Sequence, residues 1–542
     1  VAEPATSYDV AVIGAGVDGL VAAAVLARAG RRVVVLEDAA HTGGLLANDE
    51  IAPQVQAPAV FSSVETLAPE VLTELDLEAH GLRLSDPGPV LVATGDERSR
   101  LFAPPGASAV NTRHLRALAD AGLRDEDVRA FEAYDGFLRR VAEALAPILA
   151  APLPAFETTG PRHLLALMRP LLRLRRLGAA PLAELLRFLP MPLHDIATER
   201  FADPALRIAV AAAGLPASWM GPRSPGGGLN LALHRCALGR GALAHPRFAH
   251  GGPGALAEAL RAAARAAGAA LRTAAAVSAV GLTGRGESLR ATGVELADGE
   301  RVEARAVLST RDPKTTFFDL VGACHGSPSW VAALDAVRSR GTVATVAFVL
   351  DAPPVFAHAG EDPRVLAGRI LVTGSLDDLE RAFDDAKYGR LPRRPFLDVT
   401  VPTAVDPSLA PAGRHVVHAW VQYPPFHLRG GDWDDAREAL GDQVQATLAA
   451  VSPGFAERVL VRRVLTPADL ARRFGLREGC VYQVEPALDQ ALFMRPMPRW
   501  YRYATPIAGL YLGGPATHGG LGISGLAGRN AARVLDHDLR AG

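Results

Sequence analysis

YDVAVIGAGVDGLVAAAVLARAGRRVVVLEDAAHTGG, from Tyr8 to Gly44, decides how the chain is read. An apolar run, Val10 to Ile13, turns at Gly14-Ala15-Gly16-Val17-Asp18-Gly19. It enters an Ala-rich helical segment, stops at Gly30 and resumes as a second apolar run, Val33 to Leu36. Each glycine has a mechanical use: Gly14 for a tight exit from the strand, Gly16 for backbone approach to a pyrophosphate, Gly19 for close packing of helix on sheet. The helix N-terminus then offers unpaired N–H groups and a positive dipole end to the phosphates. Glu37 ends the second strand about 20 residues past the glycines, where a carboxylate accepts from a ribose 2′-hydroxyl and disfavours a 2′-phosphate. A dinucleotide site that is not an NADP site follows.

The C-terminal stretch GLYLGGPATHGGLGISGLAGRNAARVL, Gly509 to Leu535, is the second signal. Leu510 to Leu512 reads as a strand, Gly520, Gly522 and Gly525 form another GxGxxG, and a helix from Leu526 to Leu535 follows. No further strand and acid come after it, so the segment is expected to return to the first domain and lay a helix N-terminus against the same cofactor. A reduced flavin gains from such a positive dipole end near N1 and O2.

Between these ends the chain makes two excursions. Residues 76–239 open with a strand at Val90 to Thr94 and turn helical from Arg113 to Leu189, where apolar residues return every three or four positions. Residues 313–490 hold strand candidates at Val343 to Leu350, Phe396 to Pro402 and His415 to Tyr423. A helix is expected from Pro69 to His80. The fold class is therefore α/β, a discontinuous Rossmann-type domain (1–75, 240–312 and 491–542) with an inserted mixed-sheet and helical substrate domain (76–239 and 313–490). The GxGxxA at Gly252, Gly254 and Ala257 lacks a preceding strand and a following acid, and reads as the entry to a helix returning the chain to the first domain.

Composition narrows the function. In 542 residues, Lys+Arg 57 against Asp+Glu 58 leaves a net charge of -1, which gives no field to recruit nucleic acid. Cys236, Cys324 and Cys480 form no CxxC pair for dithiol chemistry. HExxH, GxSxG and Cys/His clusters with ligand spacing are missing from the sequence, and the pairs His245/His250 and His415/His418 lack a third ligand, so no metal is expected. The opening VAEPATSYDV reads as no secretory signal, and prolines and glycines break the uncharged run Ala504 to Gly528; a soluble, cytoplasmic protein is expected. Pro161 to Pro190 carries Arg162, Arg169, Arg173, Arg175, Arg176 and Arg187 among leucines. It reads as solvated helix faces, with peripheral membrane contact as the alternative.

Several separated stretches together resemble one family, the flavin-dependent phytoene dehydrogenase-like proteins of the carotenoid desaturase and amine oxidase superfamily, and within it the pyridine nucleotide-disulphide oxidoreductase domain branch. They are VIGAGVDGL with Glu37 and the Gly43-Gly44 extension, EIAPQ to LDLEAHGL, GGPGALAEALRAAARAAGA, ARAVLSTRDPKTTFFDLVG, QYPPFHLRGGDW, ALDQALFMRP and GLYLGGPATHGGLGISGLAGRNAA. The double glycine favours FAD over NAD by this resemblance. It implies that Gly14, Ala15, Gly16, Gly19, Gly43 and Gly44 surround the pyrophosphate and that Glu37 holds the adenosine ribose. Val277, in a Thr273 to Val280 strand, would meet adenine through its backbone, and Gly514, Gly522, Ile523 and Ser524 would follow the ribityl chain and pyrimidine edge. Leu45-Leu46 and Gln483 depart from the family pattern near the ring.

The expected activity is FAD-dependent oxidation, with hydride passing from a small, apolar or weakly polar organic substrate to flavin N5. Oxygen and a quinone stay open as electron acceptors, and the oligomeric state is open. A flavin-dependent isomerase or saturase, a non-enzymatic FAD-containing interaction protein and an amine oxidase are the rivals. His518 and Glu485 are the candidate bases; the sequence assigns no catalytic side chain.

Overall fold

In the computed structural model, residues 7–104, 122–154, 168, 172, 174–238, 242–357 and 363–541 are described. β1 (Tyr8–Ile13), α1 (Val17–Arg28) and β2 (Val33–Leu36) form the first strand–helix–strand unit. A hairpin of β3 (Asn48–Ala52) and β4 (Val55–Pro58) follows, then α2 (Pro69–Glu74). This helix stops short of the expected His80 because Asp76 takes a positive φ of 51°, a left-handed turn that ends helical propagation.

β5 (Val90–Ala93) and β6 (Arg100–Phe102) begin a second sheet. A helical stretch includes α3 (Asp125–Leu149), α4 (Ala179–Phe188) and α5 (Gly227–Leu238). α6 (Pro253–Ala266) then carries the chain back to the first sheet through β7 (Ala270–Arg272), β8 (Val277–Thr283), β9 (Arg290–Leu296) and β10 (Arg301–Ser309). The strand expected from Thr273 starts only at Val277. β11 (Val343–Leu350), β12 (Arg369–Val372), β13 (Phe396–Thr400), β14 (His415–Gln422) and β15 (Val459–Leu465) complete the second sheet. β16 (Leu510–Leu512) and α7 (Leu526–Ala541) return to the first.

The first sheet runs β7-β2-β1-β10-β9-β8, with β16 also beside β10. β10 serves three partners. Arg301 to Glu303 pair antiparallel with β9, while Val307 to Ser309 lie parallel between β1 and β16. Parallel strands covered on both faces read as continuous apolar runs, as β2 does with all four residues buried. α1 lies between α6 and α7. The α7 contact is close: a Cβ on Gly528 would stand 2.0 Å from the Asp18 carbonyl oxygen.

The second sheet is mixed, β15-β11-β14-β13-β12-β5-β6. All eight residues of β11 are buried, and strand periodicity explains both faces. Ala344, Val346, Phe348 and Leu350 meet the helix Trp433–Val451, while Ala347 and Val349 meet Val55 and Ala57 of the β3–β4 hairpin. The hairpin thus packs on the second sheet although its sequence lies within the first 75 residues. Among the described residues no helix is long and apolar enough to cross a membrane. Of the arginines in the basic stretch, Arg162, Arg169 and Arg173 lie outside the described residues, Arg175 and Arg176 are exposed, and Arg187 pairs with Glu199 at 2.8 Å.

Candidate FAD crevice and adjoining chamber

The strand order β2-β1-β10-β16 sets out, side by side, the residues that follow each strand. Glu37, then Gly14 and Gly16, then Thr310, then Pro515 line one crevice at the carboxyl ends of the strands, the place where open α/β sheets bind ligands. It encloses about 1000 Å³ of open space, part of it continuous with solvent.

The three glycines of the first turn do three different things. Gly14 donates its N–H to the Leu36 carbonyl at 2.8 Å, and a Cβ there would stand 2.6 Å from Thr310 Oγ1. A Cβ on Gly19 would stand 2.0 Å from the Gly14 carbonyl oxygen. On Gly16 it would meet nothing within 4 Å, because Gly16 faces the crevice. Gly16, Val17 and Asp18 all line it, and the first N–H groups of a helix have no intrahelical acceptor. A cradle that only glycine leaves open, beside free donors, suits a pyrophosphate. Arg311 and Arg473 add guanidinium groups to the same walls. The residues present fit FAD.

Glu37 closes the β2 end. Its Oε2 accepts the Ala15 N–H at 2.6 Å and its Oε1 the Ala39 N–H at 3.1 Å. Burial, and then the neighbouring Asp38, push the Glu37 carboxyl up to about 7. Asp38 is held below the usual range by its hydrogen bond with Glu37 and, further, by Arg311 at 3.7 Å. Each Glu37 oxygen keeps a lone pair for a ribose hydroxyl.

Of the residues expected at the cofactor, Gly14, Gly16, Glu37, Gly43, Gly44, Gly522 and Ile523 line this crevice. Ala15 and Gly19 stand behind its wall. Gly514 packs against Thr310, where a Cβ would be 2.4 Å from the carbonyl oxygen. Val277 lies off the crevice, two residues beyond Ala275, whose N–H fastens the chain to the Glu37 carbonyl at 2.8 Å. Ser524 donates to the Gly519 carbonyl and lines a separate apolar cavity with Leu149, Leu233 and Leu526. Leu45 and Gln483 line the crevice, Gln483 donating to the Thr310 carbonyl at 2.8 Å. Thr310, Arg311, Arg473 and Asp18 are additions that the glycine pattern does not announce.

The α7 N-terminus is occupied from within the protein, since the Gly528 N–H donates to the buried Asp18 carboxylate at 2.9 Å. Burial pushes this carboxyl up to about 7 against that hydrogen bond. Above the unfolded value of 3.8 the unfolded chain releases the proton while the native protein keeps it, so Asp18 lowers stability progressively from pH 4 to pH 7. The cost is about 1.4 kcal/mol per pH unit. Asp18→Asn keeps an acceptor for Gly528 without the charge. Its melting temperature is expected to exceed that of the wild type at pH 8 by several degrees and to match it near pH 4. Parallel pH profiles for the two proteins would refute the assignment.

Glu485 is engaged on both sides, whereas His518 keeps Nδ1 without a hydrogen-bond partner among the described residues. His518 is buried with Nε2 on the Ile148 carbonyl at 2.9 Å, and burial lowers it to about 4. Glu485 is held by Arg340 at 2.5 Å and Arg338 at 3.5 Å. Cys236, Cys324 and Cys480 form no disulfide, and burial pushes the Cys236 and Cys480 thiols up to about 12. Among the described residues no three His, Cys, Asp or Glu side chains gather as a metal site.

A second cavity adjoins the crevice at Gly522. A Cβ on that residue would stand 3.4 Å from Tyr482, 3.5 Å from Thr66 and 3.9 Å from Phe61, all of which line this chamber of about 610 Å³. Phe61 and Trp420, with ring centroids 5.4 Å apart, supply apolar wall. Across the chamber Arg369 bridges Glu65 at 2.7 Å and Asp398 at 3.0 Å. His234 Nδ1 meets the Asn230 carbonyl at 2.9 Å, which can only accept, so Nδ1 carries the proton and Nε2 accepts the Tyr482 hydroxyl at 3.2 Å. Burial lowers His234 to about 4, which keeps it neutral.

Comparison with known proteins agrees with this geometry. Residues 12–89 match a family model described as an NAD(P)-binding Rossmann-like domain. Over 550 residues the chain is 33% identical to pyridine nucleotide-disulfide oxidoreductase domain-containing protein 2 of Rattus norvegicus, covering 98% of this chain and 94% of that one. A lycopene-forming phytoene desaturase of Paracoccus sp. is 29% identical over 257 residues, 46% of this chain and 48% of the desaturase. Among solved structures, a putrescine oxidase redesigned in its cofactor binding shares the fold with a TM-score of 0.60 at 16% identity, covering 99% of this chain and 100% of that one. The chain is an FAD-dependent oxidoreductase, with relatives among the phytoene desaturases and the fold of the amine oxidases. Its homologues are oxidoreductases, and it is an enzyme. Within that class the chain belongs to the family of pyridine nucleotide-disulfide oxidoreductase domain-containing protein 2.

Proposed function

We propose that the protein dehydrogenates an organic substrate held in the chamber beyond Gly522, removing a hydride from a substrate C–H. The observation that carries this reading is the position of Gly522, which lines the crevice and stands against Tyr482, Thr66 and Phe61 of the chamber wall. When bound, FAD supplies the hydride acceptor. Gly16 and the first N–H groups of α1 would take its pyrophosphate, Glu37 its adenosine ribose, and Gly522 and Ile523 its ribityl and pyrimidine end. Phe61, Pro216 and Trp420 exclude water from the chamber and pack an apolar substrate body.

The test is spectroscopic. The purified protein is expected to show a flavin spectrum, to release FAD on acid precipitation, and to bleach anaerobically with a substrate. Reoxidation by air or only by a quinone then identifies the electron acceptor. A flavin that must be reduced beforehand to support turnover, with no net oxidation, would replace this reading by an isomerase or saturase. A protein that neither contains nor takes up FAD would overturn it.

A further inference from the structure

We propose that the chamber beyond Gly522 selects substrates carrying a protonated amine or a similar N–H cation, received by Glu65; the proposal rests on the dehydrogenase reading and adds the substrate's class. The Glu65 side chain is 10% exposed, and its Oε2 is buried and accepts no hydrogen bond from the described residues. An unpaired buried carboxylate oxygen is costly unless a ligand donates to it.

The Arg369 and Tyr482 donors are largely engaged, and the Ser62, Ser63 and Thr66 hydroxyls also line the chamber. Arg369 gives its N–H groups to Asp398, the Ala244 carbonyl, Ser63 and Glu65. The Tyr482 proton is committed to His234, which turns the lone pairs of the phenol oxygen outward as acceptors. Two carboxyl groups face a single guanidinium, and burial holds Asp398 above the usual carboxylate range in spite of Arg369. A cation in the chamber would offset the second carboxyl group and donate to Glu65, whereas an anion would stand beside two carboxyl groups. A hydrocarbon would leave Glu65 Oε2 unpaired.

The FAD-loaded protein can be titrated with hexylammonium, 1-hexanol and hexanoate, following the flavin difference spectrum and, separately, the melting temperature. Hexylammonium is expected to bind about 10-fold or more tightly than hexanol, the value of a charge-assisted hydrogen bond, with hexanoate weakest. Glu65→Gln is expected to weaken hexylammonium about 10-fold and to change hexanol less than about 2-fold. Equal or tighter binding of hexanol, no saturable response to hexylammonium, or an equal effect of the variant on both ligands would overturn the proposal. If Glu65→Gln does not fold, the ranking of the three ligands on the wild type decides. Specific hexylammonium binding to a flavin that no donor reduces would sink the dehydrogenase reading and leave the cation site standing.

Discussion

Gly16→Val is expected to give a folded protein that has lost FAD, while Gly19→Ala, the smaller change, is expected to destabilise the fold itself. Gly16 sits at φ -71° and ψ -175°, a conformation any residue adopts, and the space its side chain would fill is the crevice itself. The new methyl groups would occupy the pyrophosphate position and keep the α1 N–H groups from it. Two lost charge-assisted hydrogen bonds amount to about 3 kcal/mol or more, roughly 100-fold in affinity. At Gly19 the obstacle is the Gly14 carbonyl oxygen, 2.0 Å from a Cβ. Backbone cannot step aside there without parting α1 from β1, and the cost is about 3 kcal/mol or more. Flavin content and melting temperature measured side by side separate the two. Full flavin retention by Gly16→Val would show that the ligand lies elsewhere.

Arg369→Met is expected to destabilise the protein by about 3–5 kcal/mol, the cost of leaving buried carboxylates without their partner. The guanidinium is 10% exposed and holds Glu65 and Asp398 together across the chamber. Lysine cannot replace it, because one ammonium does not span two carboxylates and two further acceptors in a fork. Neutralising all three positions, with Met at 369, Gln at 65 and Asn at 398, is expected to recover most of the loss, since the penalty belongs to the unpaired charges. Denaturant midpoints give the answer. A single variant within about 1 kcal/mol of wild type would mean that water reaches the cluster.

The crevice was largely legible because its signals are local. Val10 to Glu37 contains strand, turn, helix, strand and acid within one unit, and the apolar runs of β11, β13 and β14 stand out because both faces of the second sheet are covered. What stayed hidden depends on distant partners. Thr310 reaches Gly14 from almost 300 residues away, and Asp18 is a cap for α7 that nothing in VDGL announces. The chamber joins Glu65 to Arg369 across 304 positions. A clue was present in RILV and FLDVT, where Arg369 and Asp398 interrupt strands that are otherwise apolar. A charge inside such a run must be paired or functional, and here the structure supplies the partner. The helix expected to reach His80 failed for the opposite reason, since the left-handed turn at Asp76 is a single-residue event that periodicity cannot register.

The pairing of α1 with α7 also bears on how the protein is made. Asp18 leaves the ribosome 510 residues before Gly528, the residue whose N–H it receives. Once β10 is made the nascent chain carries the glycine turn and most of the parallel sheet, but α1 still lacks α7 and β10 lacks β16. Domains made of one continuous segment fold as they emerge; this one needs the distant segments β16 and α7 before the edge of β10 and the flank of α1 are covered.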